Sequence, residues 1–328
     1  SCLVPRSDGQ RADVTQRCTS AFDTTRAEPG RCEGRTVSSA VSLADHAATL
    51  IKAQALQKLI DSGSSLVILD ASFDLTDAGA GERAYLDGHL PGALHVHLDR
   101  DLCGAKTGHN GRHPLPDRAA FATTAGRLGI TPDTQVVVYD RQGAMFAARV
   151  WWMLRWLGHA PVAVLDGGLA AWQAAGFAVD SAAVTTNAQV AYPIGAGPSP
   201  LVRTVDADTL QGQLGRIALI DARAPERFRG EVEPLDAQAG HIPGARNRFF
   251  KDNLSADGSF KPVELLRTEL LALIGERPAS EIVNQCGSGV TACHNLLAMA
   301  VAGIDGAALY AGSWSEWSSD PARPVARG

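Results

Sequence analysis

The sequence has few cysteines, no dense basic block and no long apolar run, and each absence excludes a class of protein. The six cysteines are scattered, and no two have the C-x-x-C spacing of a zinc knuckle or a thioredoxin-type redox pair. So sparse a set is typical of a reducing compartment rather than of a disulfide scaffold. A net charge of -5 argues against binding to nucleic acid or to an anionic membrane. No run of about 18 apolar residues occurs, so no transmembrane helix is expected.

The first 36 residues differ from the rest of the chain. They contain six Arg, five Asp or Glu and three Cys, without hydrophobic periodicity. No apolar core follows the first basic residues, as a secretory signal requires, and a transit peptide would be poor in acids. We therefore expect residues 1–40 to be a disordered N-terminal extension and the protein to be cytoplasmic.

The remainder of the chain contains the same set of landmarks twice, in the same order, which predicts an internal duplication. Each half has an apolar stretch ending in Asp ("LVILD" and "IALID") and, further on, a His-[Leu/Ile]-Pro-Gly-Ala loop. The matching pairs, separated by 151, 152 and 145 residues, are Asp70 and Asp221, His89 and His241, and Trp172 and Trp317.

In both halves, short apolar strands alternate with helical patterns such as "AARVWWMLRWLG" and "VELLRTELLALIG". That alternation predicts an α/β fold with two tandem domains, each a parallel sheet flanked by helices. We expect a first, non-catalytic domain over 41–182 and a second, catalytic domain over 201–328. The segment 183–200 is rich in Pro, Gly and small residues, which is typical of a linker.

One difference between the halves points to chemistry. Cys286 follows the predicted strand "EIVNQ", at the position where Arg141 stands in the first half. In an open α/β sheet, ligands bind beyond the carboxyl ends of the strands. Gly287 and Gly289 let the loop curl so that successive N–H groups point inward, and the helix that follows adds its positive end. Both effects favour a thiolate or a persulfide over a neutral thiol.

The other candidate nucleophiles and bases carry less weight. Cys293 lies inside the predicted helix, where a small core residue is the simpler interpretation, and His294 is interpreted as a packed or exposed helix residue. Cys103 falls in a polar loop with nothing around it that indicates reactivity.

Together these features resemble the tandem rhodanese-type sulfurtransferases over roughly residues 41–322. The resemblance rests on the repeated Asp-Ala and His-x-Pro-Gly-Ala motifs, on "LDGGLAAW" and "GSWSEW", and on "CGSGVTACH". Within that family the basic loop C-R-K-G-V-T is typical of thiosulfate sulfurtransferases and the neutral C-G-S-G-V-T of mercaptopyruvate sulfurtransferases. This chain has the neutral form, which fits a donor of lower charge.

The resemblance also implies roles for residues outside the loop. Arg227 matches an arginine that grips the carboxylate of the substrate. Asp99 and His113, from the first domain, match a pair that lines the cleft and relays a proton with the loop serine, here Ser288. The resemblance implies that the loop residues Gly287, Gly289, Val290 and Thr291 contact the donor, with Cys286 as nucleophile.

The chain departs from the family pattern at the second arginine of the mercaptopyruvate enzymes. Leu235 and Asp236 stand where that arginine would fall. Arg248, just after the second His-x-Pro-Gly-Ala loop, is unusual for the family, and we expect it to substitute for the missing group.

The function implied is transfer of a sulfane sulfur from 3-mercaptopyruvate, through a Cys286 persulfide, to cyanide, a small thiol or a thioredoxin-like dithiol. No metal and no organic cofactor is implied, nor any nucleic-acid or membrane partner. Three alternatives are weighed: a thiosulfate sulfurtransferase, a sulfur carrier without turnover, and a dual-specificity phosphatase. The last is disfavoured because Ala292 stands where a C-x5-R loop carries its arginine.

Overall fold

Five short strands in the first half of the chain form a parallel sheet in the order β1-β5-β4-β2-β3. The computed structural model describes residues 49–186, 190–197, 199 and 201–328. The extension predicted over 1–40, the start of the first predicted domain and parts of the predicted linker lie outside these residues. The strands are β1 (Leu50–Ile51), β2 (Leu66–Asp70), β3 (Leu94–His95), β4 (Gln135–Tyr139) and β5 (Val162–Leu165).

The second half repeats this arrangement, with the parallel order β6-β10-β9-β7-β8. The two orders are the same when each half is numbered from its own first strand, so the predicted fold class is confirmed. The strands are β6 (Arg203–Thr204), β7 (Ala218–Asp221), β8 (Arg246–Asn247), β9 (Ile282–Gln285) and β10 (Ala308–Leu309).

Helices cover the sheets, as buried parallel strands require. The central strands of both sheets are almost completely buried, which explains their continuous apolar sequences. The helices of the first half are α1 (Ala53–Asp61), α2 (Ala80–Asp87), α3 (Leu98–Asp101), α4 (Arg118–Arg127), α5 (Ala147–Leu157) and α6 (Gly168–Ala174). Those of the second half are α7 (Ala207–Gln213), α8 (Pro225–Phe228), α9 (Val263–Ile274), α10 (Thr291–Val301) and α11 (Ser313–Trp317), with short 3-10 turns at Phe250–Asn253 and Ala279–Glu281.

The landmarks of the duplication hold equivalent places in the two halves. The ring of His89 stacks on Tyr85, and that of His241 stacks on Phe228. The indoles of Trp172 and Trp317 each donate to a carbonyl six or seven residues further on. These repeated residues therefore hold loops and helices in place, which accounts for their presence in both halves.

The two halves pack against each other through α5 and α10. Nine of the eleven residues of α10 are buried, and one hydrophobic cluster contains side chains of both helices, including Trp152 and Leu297. Burying one large apolar side chain contributes about 1.5–3 kcal/mol, so this contact holds the halves together firmly. Because α10 follows the Cys286 loop directly, the same contact presents that loop to the first domain.

No helix in the described part of the chain has both the length and the hydrophobicity needed to span a bilayer. The cytoplasmic location stays a prediction.

Candidate active site

Cys286 lies at the carboxyl end of β9, in a tight loop that leads into α10. Its side chain is almost completely buried, and its Sγ accepts a hydrogen bond of 3.1 Å from the N–H of Gly289. Gly289 has a φ of 78°, and a Cβ there would lie 2.3 Å from the carbonyl oxygen of Ala311. Only glycine fits at this position. The loop therefore curls back on the sulfur atom, as the glycine spacing predicts.

The backbone of the loop is held from the opposite side by the start of α11. The N–H of Cys286 donates to Ser313 Oγ at 3.1 Å, while the N–H groups of Trp314 and Ser315 donate to the carbonyls of Cys286 and Gly287 at 2.9 Å. Ser313 itself has a φ of 55°, which is unusual for a residue with a side chain. The motif "GSWSEW" was part of the family resemblance, but its role in supporting the loop was not predicted.

The structure brings His113 of the first domain to Ser288 of the loop. His113 Nδ1 and Ser288 Oγ are hydrogen-bonded at 2.8 Å. Asp99 is further away, with 4.0 Å between its Oδ1 and His113 Nε2, and its Oδ1 also accepts from Lys106 at 2.9 Å. Burial lowers the pKa of His113 to about 4, although the Asp99 charge acts in the opposite direction. At neutral pH His113 is therefore an uncharged imidazole that can accept or pass on a proton.

Arg149, on α5 of the first domain, lies completely buried beneath the loop. It donates to the carbonyl of Gly289 at 3.0 Å and to that of His113 at 3.2 Å. The Arg149 guanidinium thus holds in place both Gly289, whose N–H contacts the sulfur, and His113, which is hydrogen-bonded to Ser288. The sequence carried a signal for this role, since Arg149 is one of two charged residues in a helical stretch that is otherwise apolar, but this signal was not used.

The other two described cysteines are poor nucleophiles. Burial raises the pKa of Cys293 to about 12 and that of Cys103 to about 11. Cys293 donates its S–H to the carbonyl of Gly289 at 3.4 Å. Both stay as neutral thiols at neutral pH.

A cavity of about 170 Å³ opens above the loop and is lined by both domains. Arg227, at the end of α8, lines it and pairs with Glu233 at 2.6 Å and with Asp236 at 3.2 Å. Val290 and Thr291 also line this cavity, together with the loop residues Cys286, Gly287 and Ser288. Gly289 reaches the sulfur through its N–H. The predicted donor-contacting residues of the second domain are thus gathered at one place, except for Arg248.

Arg248 points away from this cavity. Its guanidinium pairs with Glu269 at 2.7 Å and donates to Asn253 Oδ1 at 3.0 Å, in a cluster beside α9. The expectation that Arg248 replaces the missing arginine must be corrected, because these partners already bind the side chain elsewhere. Two other arginines line the cavity, Arg112 of the first domain and Arg223 of the second, and neither was predicted from the sequence.

The equivalent loop of the first domain is occupied by its own side chains. The buried carboxylate of Asp140 accepts four backbone N–H bonds of 2.8–2.9 Å, from Gln142, Ala144, Phe146 and Ala147. Arg141, the counterpart of Cys286, pairs with Asp70 at 2.8 Å. The ring of N–H groups therefore already binds an anion that belongs to the chain.

Within the residues that the structure describes, no group of three or more His, Cys, Asp or Glu side chains could hold a metal ion. The absence of a metal and of an organic cofactor from the reaction stays a prediction.

Comparison with known proteins supports the internal duplication. The family described as "Rhodanese-like domain" matches residues 52–175 and 206–320. The chain belongs to the rhodanese-like family. The family predicted from the sequence is thereby confirmed, and both rhodanese-like halves contribute side chains to the cavity above Cys286.

Several relatives align with this rhodanese-like chain over most of their own length. A Pseudomonas aeruginosa protein named "Probable 3-mercaptopyruvate sulfurtransferase" is 50% identical over 86% of this chain and 99% of its own. A Mycobacterium tuberculosis protein with a provisional name as a thiosulfate sulfurtransferase is 44% identical over 85% of this chain and 97% of its own. Among solved structures, an Escherichia coli protein described as a 3-mercaptopyruvate sulfotransferase matches with a TM-score of 0.68 and 31% identity, over 82% of this chain and all of its own.

Proposed function

We propose that the protein transfers a sulfur atom from 3-mercaptopyruvate to a thiophilic acceptor, with Cys286 as the intermediate carrier. The observation that carries this proposal is the contact of 3.1 Å between the Gly289 N–H and Cys286 Sγ, in a loop whose other side chains are uncharged. That N–H stabilises negative charge on sulfur, as donors do in an oxyanion hole. The relatives named for this activity support the same substrate.

In the first half-reaction the Cys286 thiolate attacks the sulfur of the donor. A Cys286–sulfur bond forms and the bond between sulfur and C3 of the donor breaks, leaving its electron pair on the enolate of pyruvate. The proton of the donor thiol ends on C3, which completes pyruvate, and the outer sulfur of the persulfide keeps the negative charge. Proton and charge therefore balance without an added oxidant or reductant.

His113 and Ser288 provide the route for this proton. Ser288 stands next to the loop glycines, and its hydrogen bond of 2.8 Å to an uncharged His113 allows a proton to pass in either direction. Asp99, 4.0 Å from the ring, favours a positive charge on His113 without forming a direct hydrogen bond.

In the second half-reaction an acceptor attacks the outer sulfur, and the Cys286 thiolate leaves. Cyanide would become thiocyanate, a thiol would become a persulfide, and a dithiol would go on to release sulfide as its disulfide forms. The scheme is ping-pong, with the persulfide enzyme as the intermediate. The nature of the acceptor stays a prediction.

The first domain has a supporting role in this proposal. Its own loop is filled by Asp140 and Arg141, so it has no free ring of N–H groups for a sulfur anion. It supplies instead the groups that reach the second loop, namely Arg112, His113 and Arg149.

A second candidate donor is thiosulfate. The observation in its favour is that three arginines, Arg112, Arg223 and Arg227, line the cavity, which would suit a doubly charged anion. Against it, Asp221, Glu233 and Asp236 pair with these groups and balance their charge.

Steady-state kinetics with each donor test the proposal. We expect kcat/KM for 3-mercaptopyruvate, measured as pyruvate release with cyanide or a thiol as acceptor, to exceed that for thiosulfate. The Cys286→Ser variant should lose activity with both donors, while Cys293→Ser should keep it. Faster turnover of thiosulfate would overturn the choice of donor, and no turnover of either would favour a sulfur carrier.

A further inference from the structure

Arg149 is a buried cation for which the described part of the chain supplies no carboxylate within ion-pairing distance. Its side chain is completely buried, and its guanidinium donates to two neutral carbonyls, those of Gly289 and His113, while its Nε has no hydrogen-bond partner there. Arg223 is buried as well, but it pairs with Asp221 at 2.8 Å. Because an unpaired charge is costly to bury, we expect a negative charge from another source to balance Arg149.

The sulfur of Cys286 lies on the other side of the residue that Arg149 contacts. Gly289 accepts from Arg149 through its carbonyl at 3.0 Å and donates through its N–H to Cys286 Sγ at 3.1 Å. A single glycine therefore separates the guanidinium from the sulfur. This part of the loop is buried, so little water lies between the two groups to screen their attraction.

The other charged side chains around the loop are paired with one another. Three arginines meet three carboxylates in and beside the cavity, and the acid nearest His113 is paired with a lysine. These ion pairs are Arg112–Asp236, Arg227–Asp236, Arg227–Glu233, Arg223–Asp221, Arg223–Glu233 and Asp99–Lys106. A negative charge on Cys286 would therefore have Arg149 as its unmatched counterpart.

The titratable side chains on the elements that pack against the loop leave Arg149 unbalanced. Burial lowers the pKa of His113 and of His294 on α10 to about 4, so both are neutral at pH 7. Burial raises the pKa of Cys293, also on α10, to about 12, so it keeps its proton. Glu316 of α11 lines a different cavity, together with Arg323.

The duplication provides an internal comparison. Arg149 and His294 are 145 residues apart, the same spacing as between Arg141 and Cys286. His294 donates through Nε2 to the carbonyl of Gly143 at 3.0 Å, so each domain sends one side chain to the loop of the other. The side chain that reaches the first-domain loop is a neutral imidazole. The one that reaches the Cys286 loop is a permanent cation, and it therefore stands where a sulfur anion has to form.

We propose that Arg149 is the buried counter-ion of the sulfur anion on Cys286, supplied to the loop by the first domain. This inference rests on the proposed function. The sulfur carries one negative charge both as the thiolate and as the persulfide, because the proton of the donor thiol ends on pyruvate. One fixed cation therefore suits both states. Arg149 does not line the cavity, so it is a positioning residue that acts on the sulfur through the loop.

Alkylation of Cys286 by iodoacetamide at stepped pH tests this role in Arg149→Gln and Arg149→Lys. Glutamine keeps a hydrogen-bond donor without the charge, and lysine keeps the charge. Iodoacetamide is neutral, so its approach does not depend on the charge of the site. In Arg149→Gln we expect the pH of half-maximal alkylation to rise by about 1–2 units, because loss of a nearby cation destabilises the thiolate. Arg149→Lys should show less than half of this rise, and all rates should converge at a pH above both midpoints.

Arg155→Gln is the matched control. Arg155 lies on the same helix, donates to the carbonyl of Leu201 at 3.4 Å and does not line the Cys286 cavity. Its midpoint should equal that of the wild type. Fragmentation of the labelled peptide assigns the label to Cys286 rather than to Cys293.

Three results would overturn the inference. One is a midpoint in Arg149→Gln within about 0.3 units of the wild type. Another is an equal rise in Arg149→Gln and Arg149→Lys, which would assign the effect to geometry rather than charge. The third is an equal rise in Arg155→Gln, which would indicate a loosened domain contact. Alkylation needs no sulfur donor, so none of these results touches the proposed function, which fails if the wild-type protein releases no pyruvate.

Discussion

Replacing Gly289 with alanine is predicted to slow sulfur transfer far more than it weakens donor binding. A Cβ at residue 289 would lie 2.3 Å from the carbonyl oxygen of Ala311, whereas ordinary contact begins at 3.4 Å, so the backbone must move by about 3.4 − 2.3 = 1.1 Å. The N–H of the same residue donates to Cys286 Sγ at 3.1 Å. A displacement of that size takes the N–H out of hydrogen-bonding range of the sulfur.

The left-handed backbone is not the main obstacle to this substitution. In the first domain the counterpart of Gly289 is Ala144, which has a φ of 66° with its side chain in place. This conformation costs a non-glycine residue roughly 1–2 kcal/mol. The contact with Ala311 adds to that cost, and we expect a total loss of about 2–4 kcal/mol in the free energy of unfolding.

The effect on catalysis follows from the lost donor. Removal of one oxyanion-type hydrogen bond lowers kcat by about 10²- to 10³-fold in enzymes that use such a group. We expect a fall of this order in pyruvate release by Gly289→Ala, with a KM close to that of the wild type, because Arg227, which lines the cavity, is unaffected.

Gly244→Ala separates the two effects. Gly244 has a φ of 81°, but no atom lies within 4 Å of a Cβ built there. This variant should lose about 1 kcal/mol of stability in urea denaturation and keep the wild-type kcat. If Gly289→Ala turns over as fast as Gly244→Ala, the N–H of residue 289 has no role in the reaction and the reasoning is refuted.

Two further predictions concern acid and the first-domain loop. Burial lowers the pKa of His113, His159 and His294 from 6.5 to about 4. Between these two pH values the folded protein therefore binds fewer protons than the unfolded chain. The contribution of these histidines to the free energy of unfolding should disappear as the pH falls from about 6.5 to 4. Urea denaturation at stepped pH should show a loss of at least about 2 kcal/mol over this window, and an unchanged midpoint would contradict it. Asp140→Asn should lower the free energy of unfolding by about 2–4 kcal/mol, because an amide cannot accept all four N–H bonds. The variant should still form the Cys286 persulfide. If the folded variant does not form it, the supporting role of the first domain is contradicted.

The sequence was informative wherever local chemistry decided the structure. The stretches "LVILD", "QVVVY", "IALID" and "IVNQ" became buried strands because their apolar and β-branched residues suit a covered parallel sheet. The glycine spacing around Cys286 predicted a loop that turns its N–H groups toward the sulfur, and in the structure the N–H of Gly289 donates to Cys286 Sγ. The two-residue strands, such as β3 and β8, could not be predicted, because so few residues give no periodicity.

The sequence did not predict which residues of the first domain contact the Cys286 loop. Arg149 and Arg112 reach the Cys286 loop only because α5 packs on α10 and the N–H of Arg112 donates to Ser315 Oγ of α11 at 3.0 Å. A pattern along the chain contains no information on that packing. The same limit explains Arg248, which is close to the loop motifs in sequence but pairs with Glu269 in the fold.

The central claim is that Cys286 accepts and holds one sulfur atom from 3-mercaptopyruvate. The most direct measurement mixes the protein with the donor in the absence of acceptor and determines both the pyruvate released and the mass of the peptide that contains Cys286. We expect one pyruvate per protein chain and one added sulfur on Cys286, which disappears when a thiol or cyanide is added. Pyruvate released without a modified Cys286, or sulfur found on Cys293 or Cys103 instead, would contradict the account.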